Sequence, residues 1–230
     1  MYTNNRLEEK KISINGPAGS LEAMVSGFDS KEPKANIGIV CHPHPLHQGS
    51  MHNKVVTTVI RIWQLCGLAT VRFNFRGVGE SQGLYGEGVG EVKDLEAVIA
   101  WVEREVPTAK LWLAGFSFGS VVSLKVASEK HSISGLISIA PIVEYFDFLQ
   151  LHRPNCPWLL IHGEEDELVS IEEVRAWYQA FQKQWFREDW PNNFELVTLK
   201  GAPHLFHGHL TELGAAIQSF MESFLPKSSP

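Results

Sequence analysis

The sequence predicts an α/β fold in which a mostly parallel central sheet carries helices on both faces and an antiparallel hairpin at its N-terminal edge. Three observations lead to this prediction. Short, almost wholly apolar segments of strand length alternate with amphipathic segments of helix length, as in strand–helix units around a parallel sheet. Two shorter strand patterns joined by a turn rich in Gly and Pro precede them. A serine flanked by glycines stands where one apolar strand would turn into a helix.

The strands are predicted from their apolar runs and from the breakers that bound them. Residues 10–15 and 21–27 form the expected hairpin, joined by a turn at residues 16–20. The six strands that follow are expected at residues 36–41, 68–75, 111–116, 133–140, 158–162 and 194–199.

Five helices are predicted because apolar residues recur at helical spacing between the later strands and after the last one. They are expected at residues 53–66, 89–106, 119–130, 170–185 and 210–224. Gly67 and Pro107 mark the ends of the first two, and a capping box at residues 170–173 opens the fourth. A series of strand–helix units of this kind places the ligand site beyond the carboxyl ends of the strands.

Length and composition favour a single domain over residues 1–230, with frayed ends at residues 1–9 and 226–230. The chain has 230 residues, of which 44% are hydrophobic, and its formal net charge is −6. An acidic chain of this kind lacks the basic surface that nucleic acids and anionic membranes attract, so we expect no nucleic acid and no membrane as a partner. We expect a monomer or a homodimer that acts on a small molecule.

The cysteines and the N-terminus bear on location. Three widely spaced cysteines without any C-x-x-C pair indicate reduced thiols rather than a disulfide framework. The sequence begins without an apolar signal segment, and no run approaches the length of a bilayer span. The expected location is the cytoplasm.

Ser117 lies at the centre of a G-x-S-x-G pattern formed by residues 115–119. A sharp strand-to-helix turn strains the backbone of its central residue, and glycines are needed where the flanking side chains would collide. The serine oxygen would then project at a helix N-terminus, which favours developing negative charge. A glycine-bounded turn that holds an ordinary solvated serine fits these five residues as well, so the other loops decide between the two interpretations.

A serine hydroxyl needs a base within hydrogen-bond reach, and that base needs an orienting partner. The predicted strand at 158–162 is followed by several acids, among them Asp166, and the last strand is followed by His204. Both loops belong to the sheet edge at which Ser117 is expected. Asp166 could instead cap the next helix. The other acids and histidines of these loops are Glu164, Glu165, Glu167, His207 and His209.

In four motifs the chain resembles the α/β-hydrolase superfamily, and within it a group of small bacterial serine hydrolases of poorly defined substrate. The motifs are the elbow at 115–119, H-G-x-x-D at 162–166, G-x-x-H at 201–204 and the R-G-x-G segment at 76–79, together with the Cys-His-Pro-His-Pro loop that begins at 41. The resemblance implies an α/β-hydrolase fold with a minimal cap or none.

The resemblance also implies the chemistry. It makes Ser117 the nucleophile, His204 the general base and then the acid, and Asp166 the residue that orients the imidazole. The implied activity is hydrolysis of a small acyl substrate, an ester or thioester, through an acyl-serine intermediate. A peptidase or an acyltransferase would use the same triad, and a non-catalytic scaffold that binds a ligand or a partner in the same cleft is the remaining alternative.

An oxyanion formed during this reaction needs two N–H donors. The residue after the nucleophile, Phe118, is expected to supply one. The loop that follows residue 41 is expected to supply the other, and because Pro43 and Pro45 have no N–H, the candidates are His44 and Leu46. The resemblance to H-G-x loops favours His44.

The histidines of this loop could also suggest a metal site, because His-x-His spacing can bind zinc. They are His42, His44, His47 and His52. Since the loop has no carboxylate to complete a catalytic shell, we expect no metal and no cofactor.

An open substrate pocket is expected after the strand at 133–140. The segment that follows it is short and contains aromatic and aliphatic side chains that could form an apolar wall, or could belong to the core. They are Tyr145, Phe146, Phe148 and Leu149.

Overall fold

The computed structural model describes residues 8–28, 34–129, 132–145, 152–185 and 193–225. These residues form an eight-stranded sheet with the strand order β1-β2-β4-β3-β5-β6-β7-β8. The strands are β1 (Glu9–Gly16), β2 (Gly19–Ser26), β3 (Asn36–Cys41), β4 (Ala69–Phe73), β5 (Lys110–Phe116), β6 (Ile133–Ile139), β7 (Trp158–Gly163) and β8 (Phe194–Leu199). β2 pairs antiparallel with β1 and with β4, and the other pairs are parallel.

Helices cover both faces of the sheet. They are α1 (Lys54–Leu65), α2 (Val89–Glu105), α3 (Phe118–Glu129), α4 (Ile171–Trp185) and α5 (Leu210–Phe224), with short 3-10 helices at Pro45–His47 and Val143–Tyr145. The buried residues of α1 and α5 share one core with one face of the sheet, and those of α2, α3 and α4 share a second core with the other face. The predicted fold class, with its N-terminal hairpin and mostly parallel sheet, is therefore confirmed.

The alternation of side chains along β5 shows how one strand serves both cores. Leu111 and Leu113 point into the core that contains α2, α3 and α4, whereas Trp112 and Ala114 point into the core that contains α1 and α5. All four are buried, which explains why the strand is a continuous apolar run in the sequence.

β4 is shorter than the strand predicted at residues 68–75, because it ends at Phe73. The next two amides leave the strand ladder. Asn74 N–H donates to the carbonyl of Glu22 at 2.8 Å, and Phe75 N–H donates to Nε2 of His42 at 3.0 Å. A side-chain acceptor therefore replaces the strand neighbour that Phe75 would need.

The prediction that residues 1–9 are frayed is wrong for residue 9. Glu9 begins β1, and its carboxylate accepts hydrogen bonds from Nε and Nη2 of Arg72 at 3.1 and 2.8 Å. A two-point guanidinium–carboxylate contact of this kind ties the start of β1 to β4, two strands away.

The parallel strands end at a common edge, and the loops that follow β3, β4, β5, β7 and β8 all start there. Sequence positions far apart in the chain meet at this carboxyl edge for that reason. Across the part of the chain that the structure describes, every helix is too short or too polar to cross a bilayer.

Candidate active site

The turn between β5 and α3 holds Ser117 in a left-handed backbone conformation, with φ of +54°. A non-glycine residue pays a steric cost there, which surrounding contacts must offset. Its N–H donates to the carbonyl of Ile139 on β6 at 2.8 Å. A β-carbon on Gly115 would lie 2.1 Å from the carbonyl oxygen of Gly119, and one on Gly119 would lie 2.4 Å from that of Cys41. The predicted need for both glycines is confirmed.

The side chains of Ser117, His204 and Asp166 form one hydrogen-bonded line. Nε2 of His204 lies 3.0 Å from Oγ of Ser117, and Nδ1 lies 2.8 Å from Oδ2 of Asp166. An ionised carboxylate only accepts hydrogen bonds, so Nδ1 carries the proton in neutral His204 and Nε2 is left to accept from the serine hydroxyl. The structure thus brings together the three residues that the loops and the resemblance indicated.

Hydrogen bonds keep Asp166 ionised. Burial on its own would raise the pKa of this carboxyl, but the bonds from His204 and from the backbone outweigh it and lower the pKa below its usual value. Oδ1 accepts from the N–H groups of Leu168 and Val169 at 2.9 and 3.0 Å. The predicted alternative, a carboxylate that caps the turn before α4, is therefore present together with the contact to His204.

His162 stabilises the loop after β7 that carries Asp166. Its side chain is fully buried, Nε2 lies 2.9 Å from the carbonyl oxygen of Val169, and the same nitrogen lies 3.4 Å from Oδ2 of Asp166. Because a carbonyl only accepts, Nε2 carries the proton, and Nδ1 is left without a partner among the described residues. Burial lowers the pKa of this imidazole, so it is neutral. The H-G-x-x-D motif contains His162, but nothing in the sequence pattern indicates this role.

The loops after β7 and β8 are joined to each other. A β-carbon on Gly163 would lie 2.2 Å from the carbonyl oxygen of Ala202, so only glycine allows this approach. Glu165 N–H donates to the same carbonyl at 3.1 Å. Oε2 of Glu167 accepts from the backbone N–H of His204 at 3.0 Å. Glu167, which the sequence offered only as one of the other acids of its loop, thus holds the backbone of His204, and no sequence pattern signalled this contact.

The other candidate acids and bases have different surroundings. Oε1 of Glu164 accepts from the hydroxyl of Thr198 at 2.9 Å. Nδ1 of His209 faces the carboxylate of Glu212 at 3.9 Å, and His207 is exposed. The serine hydroxyl donates instead to the histidine directly after the β8 turn, His204.

The two preferred oxyanion donors lie next to each other. The rings of His44 and Phe118 are in contact, with centroids 4.9 Å apart. Within the described ranges, neither backbone N–H has a hydrogen-bond acceptor in the protein. The N–H of Leu46, the second candidate in this loop, already donates to Nδ1 of His44 at 3.2 Å. This arrangement favours Phe118 and His44 over Leu46.

Tyr85, which lies in the loop after β4, is hydrogen-bonded to the ring of His44. Since Leu46 N–H occupies Nδ1, the proton of the neutral ring is on Nε2, which donates to the Tyr85 hydroxyl oxygen at 3.1 Å. Burial and the neighbouring His47 lower the pKa of His44. The sequence offered no sign of Tyr85, because nothing local distinguishes it from any other aromatic residue in a glycine-rich loop.

His42 is a structural residue. Its Nε2 accepts from Phe75 N–H, and its Nδ1–H donates to the carbonyl of Pro43 at 2.6 Å. Burial lowers its pKa to about 4. With both ring nitrogens in use, His42 has no lone pair for a metal. In the described ranges no three His, Cys, Asp or Glu side chains are placed to hold a metal ion.

Of the four residues of the predicted apolar wall, the structure describes one. Tyr145 ends the 3-10 helix Val143–Tyr145 that follows β6. Phe146, Phe148 and Leu149 lie outside the described residues. The wall stays a prediction.

Comparison with known proteins finds related chains over almost the whole length. The family model of serine aminopeptidases, S33, matches residues 44–148. An uncharacterized protein of Rickettsia prowazekii is 33% identical over 215 residues, which is 92% of this chain and 88% of that protein. A serine hydrolase homologue of α/β type from Coxiella burnetii is 46% identical, with a TM-score of 0.80, over 91% of this chain and 96% of that one. An α/β serine hydrolase without a lid from Xanthomonas campestris is 39% identical, with a TM-score of 0.84, over 98% and 100%.

Proposed function

The chain belongs to the α/β-hydrolase superfamily, and from this premise we propose that it cleaves a carboxylic ester or thioester through an acyl-serine intermediate. The hydrogen-bonded line from Ser117 through His204 to Asp166 is the observation that carries the proposal. Phe118 directly follows the serine, its ring contacts that of His44, and the amide N–H groups of both residues have no protein acceptor within the described ranges.

The first half of the reaction forms the acyl-enzyme. Oγ of Ser117 attacks the carbonyl carbon while its proton passes to Nε2 of His204, and the ionised Asp166 stabilises the resulting imidazolium. The carbonyl oxygen becomes an oxyanion, which Phe118 N–H and His44 N–H stabilise. When the tetrahedral intermediate collapses, the alcohol or thiol leaves with the proton from Nε2.

The second half releases the acid. A water molecule attacks the acyl carbon and gives its proton to Nε2 of His204, which is again the base. The second tetrahedral intermediate expels Oγ of Ser117, and that oxygen takes the proton back. One water is consumed for each ester bond, and the enzyme returns to its starting state.

Amide hydrolysis is the second candidate function, because the matching family model describes serine aminopeptidases. That match covers residues 44–148 and so includes Ser117 but neither Asp166 nor His204. An amide substrate would place a stronger demand on protonation of the leaving group by His204, while the rest of the site would act in the same way.

The proposal also includes one domain over residues 1–230 and a cytoplasmic location. The three cysteines, Cys41, Cys66 and Cys156, are all free thiols. Burial raises the pKa of Cys66 to about 11 and that of Cys156 to about 12, so both are protonated at neutral pH. Protonated thiols are poor partners for disulfide exchange, which fits a reducing compartment.

Steady-state kinetics on p-nitrophenyl esters from acetyl to octanoyl test this proposal. Ser117→Ala and His204→Ala are expected to lower kcat/KM by about 10⁴- to 10⁶-fold, and Asp166→Asn by somewhat less, because the three side chains act as a unit. Ser128→Ala is the matched control, since Ser128 lies on the same helix and its hydroxyl, among the residues that the structure describes, bonds only to the Lys125 carbonyl.

Two outcomes would contradict ester hydrolysis. One is turnover in Ser117→Ala equal to that in the control variant. The other is rapid cleavage of aminoacyl naphthylamides by a protein that leaves every ester intact, which would establish the peptidase instead. A protein inert toward both substrate classes would be a non-catalytic scaffold.

A further inference from the structure

Exposed apolar side chains surround the candidate active site. The described residues contain seven exposed large apolar side chains, and five of these lie in loops or helix starts at the carboxyl edge of the sheet. We call these five the apolar rim, with their exposed fractions: Leu46 68%, Leu84 84%, Val89 64%, Leu168 66% and Leu205 42%.

Three members of the apolar rim lie beside the oxyanion side of the site. Leu46 donates its N–H to the ring of His44, and Leu84 directly precedes Tyr85, which contacts the same ring. Val89 begins α2 directly after Gly88. A β-carbon on Gly88 would lie 3.7 Å from the ring of Phe118, the residue that follows the nucleophile.

The other two members lie on the opposite side. Leu168 donates its N–H to Asp166, and Leu205 directly follows His204. In the sheet order, the strands before these loops, β7 and β8, lie on one side of β5, whereas β3 and β4 lie on the other. The apolar rim therefore flanks Ser117 on both sides.

The nucleophile is recessed within the rim. Ser117 is 5% exposed and His204 is 3% exposed, whereas four rim members are more than half exposed. A side chain that lines a closed acyl pocket packs on its neighbours and is largely covered, so these protruding residues are unsuited to that role. They are placed to contact an apolar body outside the protein.

We propose that the apolar rim seats the enzyme on the surface of an aggregated, uncharged ester, such as a droplet or a micelle, so that esters at that surface reach Ser117. This inference rests on the proposed function and names its substrate class. The negative charge around the site determines which kind of surface the apolar rim can bind. Exposed acids stand among the rim residues, at Glu87, Glu165 and Glu167, and the net charge of the chain is −6. An anionic surface would repel them, whereas an uncharged one does not.

The two remaining exposed residues provide a matched control. Leu65 ends α1 and Phe224 ends α5. Both helices start at the carboxyl edge and run back along the sheet, so their last residues lie toward the opposite edge. Leu65→Asn thus removes an exposed leucine, 41% exposed, from a surface that would not touch the droplet.

Flotation with triolein droplets measures binding without turnover when every protein also carries Ser117→Ala. The double variant Leu84→Asn/Val89→Asn is expected to lose about tenfold in partitioning for each side chain, because each loses an apolar contact. Leu65→Asn is expected to partition as the parent does. Coating the droplets with an anionic detergent is expected to weaken binding of the parent. Equal partitioning of the double variant and Leu65→Asn would overturn the inference.

Kinetics with Ser117 intact give a second readout. Hydrolysis of tributyrin is expected to rise sharply at the concentration where droplets form, and the double variant is expected to lose this rise. Its hydrolysis of dissolved p-nitrophenyl butyrate is expected to stay within about twofold of the parent. A rate that follows dissolved tributyrin alone would overturn the inference, as would a rim-dependent dimer in size-exclusion chromatography. If no dissolved ester is cleaved at all, the proposed function fails instead.

Discussion

His162 shows how a single buried side chain can support the acid of the triad. Its Nε2–H donates to the Val169 carbonyl and lies 3.4 Å from Oδ2 of Asp166. Val169 N–H in turn donates to the other oxygen of Asp166. The imidazole therefore closes the turn that presents the carboxylate, and it acts on the reaction through Asp166 as a positioning residue.

The variant His162→Phe is expected to lower kcat/KM by about 10- to 100-fold, by analogy with the loss found when side chains that orient metal-ligating residues are removed. Its cost in the free energy of unfolding is expected to be about 1 kcal/mol, because one hydrogen bond is lost, while a buried ring nitrogen that has no partner among the described residues is removed as well. Ester kinetics and urea unfolding measure the two effects, with exposed His207→Phe as control. A loss of activity that merely follows the unfolded fraction would contradict the positioning role.

The main residues of the site could be identified from the sequence because each stands directly after a strand or in a turn with its own pattern. Ser117, Asp166 and His204 could be found in this way, and the structure brings them together. Glu167 and Tyr85 could not, because their contacts join loops that are 37 and 41 residues apart and depend on side-chain directions.

The strand–turn–helix element formed by β5 and α3 depends on how closely it approaches β3. A β-carbon on Gly119 would lie 2.4 and 2.5 Å from the carbonyl oxygens of Cys41 and His42, and neither backbone group can turn away as a side chain could. The start of α3 and the loop that carries His44 are thus set at a fixed distance from each other.

Gly119→Ala is expected to destabilise the protein by about 1–3 kcal/mol, since the methyl group overpacks this contact. It is also expected to lower kcat by more than the loss of folded protein explains, because the amides of Phe118 and His44 move apart. Gly67→Ala is the comparison: a β-carbon there meets nothing within 4 Å, although φ is +86°, so it should cost stability and spare kcat. Normal turnover in Gly119→Ala would contradict this account of the elbow.

The ends of elements were harder to predict than their existence. The strand predicted over residues 68–75 stops at Phe73, because the acceptor for the Phe75 amide is the ring of His42, 33 residues earlier in the chain. Local pattern carries no information about such a partner. The glycines of the elbow, by contrast, could be predicted from the G-x-S-x-G pattern itself, although the carbonyl oxygens that Gly119 approaches belong to Cys41 and His42.

At the scale of the whole molecule, stability depends on pH through buried groups that must stay neutral. Burial lowers the pKa of His42 from 6.5 to about 4. The unfolded chain therefore binds this proton more readily than the folded one, so the contribution is fully present above pH 6.5 and is lost as the pH falls toward 4. At about 1.4 kcal/mol for each pH unit, the loss is roughly 3 kcal/mol.

Urea unfolding at pH 7.5 and pH 4.5 is expected to show this loss. The difference in unfolding free energy between the parent and His42→Gln should shrink by about 2–3 kcal/mol at the lower pH, because glutamine has no proton to bind. Glu22 makes stability depend on pH at lower pH values. Burial opposes its ionisation, but hydrogen bonds from Glu80 N–H, Lys11 and Asn74 lower its pKa to about 2. A parent–variant difference that is constant between the two pH values would contradict the role of His42.

The central claim, that His204 activates Ser117 as a nucleophile, is tested most directly by mass spectrometry of the protein after reaction with a fluorophosphonate. The parent is expected to carry one phosphonyl group, located on Ser117, whereas His204→Ala should remain unlabelled over the same time because its serine has no base. A phosphonyl group on any other residue of the parent, or equal labelling of Ser117 with and without His204, would contradict the claim.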